Sequence, residues 1–249
     1  MSISVIIPAY NEEKYIEECI QSILLQSVHP NEIIVVDNNS TDSTRAILKR
    51  YQQVRVVSEP KQGMIYARNA GFEAATSTII ARCDADTHVP KNWVKRIIFN
   101  FEKYQIDALT GPITFYDAPI QTSLLGRAYL DLMKPMLRGK ETLVGPNMAL
   151  TKRIWLQVKD HVCLDDKRVH EDIDLAYHIH EVGGVVRRDD KLVVATSSRR
   201  IAKNPHSFFG EYPVRLMKTI LSHDQPLNHI KKQFMLPAWY TKRRSRKQM

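Results

Sequence analysis

Asp84 and Asp86, separated by one alanine, follow an apolar run over residues 78–83. Alternate residues of an extended turn can aim one carboxylate at a cation and the other at its water or at sugar hydroxyls. Hard cations such as Mg²⁺ or Mn²⁺ want oxygen ligands, often one or two carboxylates completed by a substrate's phosphates. An isolated Asp-x-Asp is equally a solvated turn or a helix cap, so its place in the chain decides its meaning. Asp37 closes a second apolar run over 32–37, where a carboxylate can accept from a base imide N–H or a ribose hydroxyl. The plain alternative is an acid that complements the dipole of the next helix. Pro8, Ala9, Tyr10 and Glu12 follow a third such run over 4–7.

Further candidates lie in segments with helical spacing. Gly63 precedes Ala67-Arg68-Asn69-Ala70-Gly71; the small residues allow close packing on a sheet, and Arg68 could reach a phosphate. His170-Glu171-Asp172-Ile173-Asp174 stands at a helix start, where the macrodipole favours acids. One of these carboxylates could instead be a general base that takes a proton from an acceptor hydroxyl. Asp172 and Asp174 lie two positions apart and cannot share a helix face, so only one can serve. Arg199 and Arg200 could cover a diphosphate, or begin a basic surface. His178, His206 and His223 could each be a ligand, although a lone histidine usually is not.

The elements that must position these groups alternate. Strands are expected at 4–7, 32–37, 54–57 and 78–83, with helices at 12–26, up to about 51, 64–75 and 93–101. Asn11 is the expected N-cap of the first helix. Such alternation implies an α/β fold with a doubly wound, mostly parallel sheet and flanking helices. In that architecture ligands bind beyond the carboxyl ends of the strands, where the three acid-bearing clusters would converge. A strand at 109–114, a helix at 121–137, a strand at 142–150 containing Gly145-Pro146, a helix at 171–182 and a strand at 185–195 follow. No linker divides the chain, so one domain over 1–200 with a helical extension over 201–249 is the simplest organisation.

With 43% apolar residues in 249, a sizeable core is available. No uncharged apolar run is long enough for a membrane span, and no export signal opens the chain. Cys19, Cys83 and Cys163 lack pair spacing and read as free thiols, which suggests a cytoplasmic location. The net charge of +9 is uneven: from Arg199 onward there are 12 Lys/Arg and two acids, against 24 and 25 before it. A near-neutral body with a basic end suggests an anionic surface as partner. Met217, Ile220 and Leu221 alternating with Arg215 and Lys218 suggest an amphipathic interfacial helix, and core packing explains the same residues equally well. The tail at 242–247 lacks interleaved aromatics, so nucleic acid is not expected.

These residues together resemble the family two glycosyltransferases of the GT-A fold. Val5-Ile6-Ile7-Pro8-Ala9-Tyr10-Asn11-Glu12-Glu13 is similar to the family's opening strand and nucleotide loop. Ile34-Val35-Val36-Asp37-Asn38-Asn39-Ser40-Thr41-Asp42 resembles its second signature, whose aspartate contacts the base. Gly63 with Ala67-Arg68-Asn69 and Gly71 resembles a third. Asp84-Ala85-Asp86 resembles the metal-binding Asp-x-Asp, and Glu171-Asp172 the pair whose aspartate is taken as base. The match runs through roughly residues 3–200.

The resemblance implies an inverting, single-displacement transfer of one sugar from a UDP- or GDP-linked donor, with Mn²⁺ or Mg²⁺. The acceptor would be a sugar, a lipid-linked sugar or a lipid. A hexosyl- or N-acetylhexosaminyl-transferase of cell-envelope glycan or glycolipid synthesis, peripheral at the inner membrane face, is the implied setting. The Gln-x-x-Arg-Trp motif of processive synthases is missing; Ser198-Arg199-Arg200 stands near its expected place. The alternatives are a sugar-nucleotide pyrophosphorylase, which would want a glycine-rich basic loop after the first strand, and a non-catalytic relative that binds anionic surfaces.

Overall fold

The structure, a computed structural model, describes residues 1–118, 122–165, 167–199 and 210–224. Arg200, His206 and the basic run at 242–247 lie outside the described residues, as does the first residue of the helix expected at 121–137.

Ten strands and eight α-helices are found among the described residues. In chain order they are β1 (Ile3–Ala9), α1 (Ile16–Leu24), β2 (Glu32–Asp37), α2 (Thr44–Leu48), β3 (Val54–Ser58), α3 (Met64–Ala74), β4 (Ile79–Arg82), β5 (Thr87–His88), α4 (Trp93–Lys103), β6 (Ala108–Thr110), β7 (Ile113–Phe115), α5 (Leu124–Met136), β8 (Met148–Thr151), α6 (Lys152–Val158), α7 (Glu171–Glu181), β9 (Val186–Arg188), β10 (Val194–Thr196) and α8 (Tyr212–Asp224).

The main sheet has the order β3-β2-β1-β4-β8-β6-β9, and a small second sheet has the order β5-β10-β7. β3, β2, β1 and β4 run parallel, whereas β8 is antiparallel to both β4 and β6. The expected mostly parallel α/β sheet is present. Its continuous apolar strands reflect burial on both faces. Val5 and Ile7 face a core shared with Ile16, Ile20 and Ile23 of α1 and Trp93, Val94 and Ile97 of α4. Ile6, Ile34 and Val36 face the other core, with Phe72 of α3, Trp155 of α6 and Leu175 and Ile179 of α7. Each fully buried aliphatic side chain contributes about 1.5–3 kcal/mol. Gly71 lets α3 press onto this face: a Cβ there would lie 2.2 Å from Ile6 Cγ2.

Three expectations need correction. Tyr15, not Asn11, precedes α1, and no side chain caps it. Asn11 has φ +53°, and its Oδ1 accepts from Thr41 N at 2.8 Å, joining two strand-end loops. The expected strand 142–150 becomes irregular chain, a 3₁₀ turn over Gly145–Asn147, and only then β8; Pro146 has no N–H to give a ladder. The expected strand 185–195 splits into β9 and β10, which belong to different sheets. Buried Asp189 lies between them, accepting from Arg96 and Asn100, both at 2.7 Å. Of the two readings of the 215–221 segment, core packing holds for Ile220, which is buried, and Leu216 packs with Met133, Leu137 and Ile173.

No helix among the described residues is long and apolar enough to cross a membrane. Cys19 and Cys83 are buried free thiols with sulfurs 4.0 Å apart.

Candidate active site

The register of β1, β2 and β4 brings the acid clusters to one sheet edge. Ala9 pairs with Asp37 and Ile6 with Arg82, two residues before Asp84. Beyond these ends lies a cleft of about 230 Å³, lined on one side by Pro8, Ala9, Tyr10 and Glu12, and on the other by Asp84 and Ala85. Asn38 shapes its floor: Oδ1 accepts from Gly63 N at 2.8 Å, and Nδ2 donates to the carbonyls of Glu59 and Lys61 at 2.9 and 2.8 Å. A larger recess of about 370 Å³ near Met1, Phe101 and Tyr104 lies apart from these acids.

Asp37 is fully buried at its strand end. Arg45 Nε donates to one of its oxygens and Ser40 N, at 3.1 Å, to the other. The next loop therefore holds the carboxylate by charge and by a backbone amide.

Asp86 and Glu12 share a cation from the chain itself. Arg199 Nε donates to Asp86 Oδ2 at 2.9 Å, and its Nη2 reaches both oxygens of Glu12 at 2.5 and 2.6 Å. The guanidinium lies over the Tyr15 ring, 4.3 Å from its centroid. Burial alone would ease its deprotonation, but Glu12 and Asp86 raise the Arg199 pKa instead. The opposite oxygen of Asp86 accepts from Thr196 Oγ1 at 3.2 Å. Acidic oxygens that already gather around a positive group fit a hard divalent cation, which needs few protein carboxylates when phosphates complete its shell.

A buried chain of ion pairs leads from Asp84 to α7. Arg82 Nη2 donates to Asp84 Oδ1 at 2.9 Å and Arg82 Nη1 to Glu171 Oε1 at 2.5 Å. Arg68 Nη1 also donates to Glu171. Burial would lower the Arg82 pKa, yet the Glu171 and Asp84 carboxylates raise it. Burial would likewise raise Glu171, but Arg82 and Arg68 bring it below the usual glutamate range. Arg68 is therefore not aimed at the cleft: it is fully buried and its guanidinium is spent on Glu171 and Asn69.

Asp172 and Asp174 part as two adjacent-face positions must. Asp172 Oδ2 accepts from Gly145 N at 3.1 Å, in the turn that presses on Arg82. A Cβ at Gly145 would stand 3.0 Å from Arg82 Nη2, so the turn packs closely on that guanidinium. Burial first, and then the charge of Glu171, raise the Asp172 pKa. Asp174 points away, bound to His223 and to Cys163 N, each at 2.9 Å.

Arg82 is the site residue that the motifs did not reveal. The signal was there: a lone cation inside the apolar run 78–83 has to find a buried acid.

Residues 4–158 match the family model described as Glycosyl transferase family 2. That span is more than half of the chain, and the chain belongs to this family. Among its relatives is the uncharacterized glycosyltransferase EpsJ of Bacillus subtilis (strain 168), 37% identical over 109 residues, which are 42% of this chain and 32% of that protein. The fold is that of the GT-A glycosyltransferases. The mannosyltransferase PcManGT of Pyrobaculum calidifontis, in complex with GDP-Man and Mn²⁺, superposes with a TM-score of 0.68 at 20% identity, covering 87% of this chain and 62% of that one. S. aureus TarS 1–349 in complex with UDP-GlcNAc gives 0.62 at 20% identity, covering 80% and 59%. The chain thus matches about a third of the length of EpsJ and under two thirds of these two solved chains.

Proposed function

We propose that this chain is a metal-dependent, inverting glycosyltransferase that moves one sugar from a nucleotide-diphosphate donor to an acceptor hydroxyl. The observation that carries it is the ion-pair chain Asp84–Arg82–Glu171, which couples the donor edge of the sheet to the helix bearing Asp172. Relatives of the same fold hold GDP-Man with Mn²⁺ or UDP-GlcNAc, which supports a UDP- or GDP-linked sugar here.

In this reading the cleft between Pro8–Glu12 and Asp84 takes the nucleotide, and Asp37 with its loop takes the base end. A divalent ion on Asp86 and Asp84, when bound, neutralises the leaving diphosphate. Asp172 accepts the proton of the acceptor hydroxyl as that oxygen bonds to the anomeric carbon. The bond from the anomeric carbon to the diphosphate oxygen breaks on the opposite side, so the configuration inverts. Nucleoside diphosphate leaves with the bonding pair. Glu171, tied to two arginines, fixes the start of α7 rather than exchanging protons. Arg199 leaves the acids on donor entry and turns to the diphosphate.

Val214, Met217 and Leu221 are exposed on α8 beside Lys218, which supports attachment to an anionic membrane surface that carries a glycan or glycolipid acceptor. Two assays test the account. Wild-type protein with Mn²⁺, a panel of UDP- and GDP-sugars and a panel of sugar and glycolipid acceptors should release nucleoside diphosphate from one donor class, and no release from any pairing would refute the activity. Removing residues 241–249 should lose binding to anionic liposomes and keep turnover on a soluble acceptor; unchanged liposome binding would refute a role of this tail in surface attachment.

A further inference from the structure

The acid turned away from the active site belongs to a cluster of its own. Asp174 and His178 stand one helical turn apart on α7, and His223 reaches them from α8. The Nε2 atoms of both histidines approach a single oxygen, Asp174 Oδ1, at 2.9 Å for His223 and 3.6 Å for His178. Among the described residues this is the group of three whose ligand atoms converge, all within 4.8 Å of one another. Two ligands of a tetrahedral zinc ion, each at about 2.0 Å, are ~3.3 Å apart, which the two observed separations bracket.

The surroundings orient the ligands. Glu181 Oε2 lies 2.8 Å from His178 Nδ1 and Glu181 Oε1 3.6 Å from His223 Nδ1. One carboxylate behind both imidazoles directs both Nε2 atoms inward, the arrangement that commonly supports metal-bound histidines. Cys163 N holds the second oxygen of Asp174 at 2.9 Å, and Tyr177 stacks on His223 with centroids 4.4 Å apart. The ligand side chains are nearly sealed, at 3%, 7% and 9% exposure.

We propose that Asp174, His178 and His223 form a second metal site, distinct from the Asp84–Asp86 edge, that takes Zn²⁺ or a similar borderline transition ion and braces α8 against α7. Imidazole with one carboxylate favours such ions over Mg²⁺. Charge supports it. Two neutral imidazoles, two carboxylates and a divalent ion sum to zero charge. A divalent ion on neutral imidazoles would thus leave the buried cluster neutral. The fourth position is left for water. The same helix begins with Asp172, so the ion would also steady the base.

The test uses the full chain, stripped by chelator and titrated at pH 8 with Co²⁺ and then Zn²⁺. One equivalent of Co²⁺ should give visible d–d absorption that one equivalent of Zn²⁺ abolishes. The bands should vanish in His178→Gln/His223→Gln and survive in Asp86→Asn. Glu181→Gln should weaken the metal by about 10–100-fold. On wild type alone, Zn²⁺ but not Mg²⁺ should slow amide exchange over Tyr212–Asp224, a readout that needs no variant to fold. Absence of the bands, their persistence in the double variant, or unchanged exchange with Zn²⁺ would overturn the proposal.

Discussion

The Nε of Arg199 donates to Oδ2 of Asp86 at 2.9 Å. The acid assigned to the metal is thus already neutralised, by a residue 113 positions further along the chain. A divalent ion on Asp86 would meet the positive charge of Arg199 at the same carboxylate. Arg199→Gln should therefore tighten Mn²⁺ in the absence of nucleotide by about tenfold, the equivalent of one charge-assisted hydrogen bond. Electron paramagnetic resonance titration of free Mn²⁺ measures this. Donor affinity should fall in the same variant; weaker Mn²⁺ binding would show that Arg199 supports the ion rather than standing in for it.

Asp172 and Asp174 separate by function. Asp172→Asn should keep donor binding and reduce kcat by about 10²–10⁴-fold, the usual contribution of a positioned base. Burial raises the wild-type Asp172 pKa, so kcat/KM should fall as pH drops through a value above the ordinary aspartate range. Steady-state rates across pH check both points. Unchanged turnover in Asp172→Asn would move the role elsewhere.

Glu171 sits between two buried arginines, so its loss leaves both without their shared partner. Glu171→Gln should destabilise the fold by about 3–5 kcal/mol, read by urea unfolding. The sign in pH follows from its depressed pKa. Wild-type stability from this group is complete above the unfolded glutamate value of about 4.3 and is lost as pH falls through the lower folded value. The variant should lack that slope.

Gly71→Ala puts a methyl group against Ile6 in the core between α3 and β1. It should cost about 1–3 kcal/mol through overpacking, visible as a lower Tm. Because α3 also carries Arg68, kcat should drop with it. An unchanged Tm would mean that the helix can move off the sheet freely.

The βαβ half of the molecule and the convergence of Asp37, Asp84 and Glu12 at one edge were legible, because strand period and strand-end polarity are local properties. Arg82 was not, since a buried cation is explained only by Glu171, 89 residues away. The partner of Arg68 was hidden for the same reason: spacing shows a face but not that Glu171 lies opposite. The different surroundings of Asp172 and Asp174 come from Gly145 N and His223, both distant in sequence. The split of 185–195 turned on Asp189, whose partners Arg96 and Asn100 lie on α4. His178 and His223 read as lone histidines until α8 packed on α7.

The central claim is that Asp84 and Asp86 hold a divalent ion that binds the donor's diphosphate. The most direct measurement is the melting temperature with UDP- and GDP-sugars, with and without Mn²⁺, in wild type and Asp86→Asn. The account expects stabilisation by one donor class that requires Mn²⁺, about 2.7 kcal/mol at a hundredfold excess over Kd, and its loss in the variant. Donor stabilisation indifferent to Mn²⁺, or equal in Asp86→Asn, would contradict it.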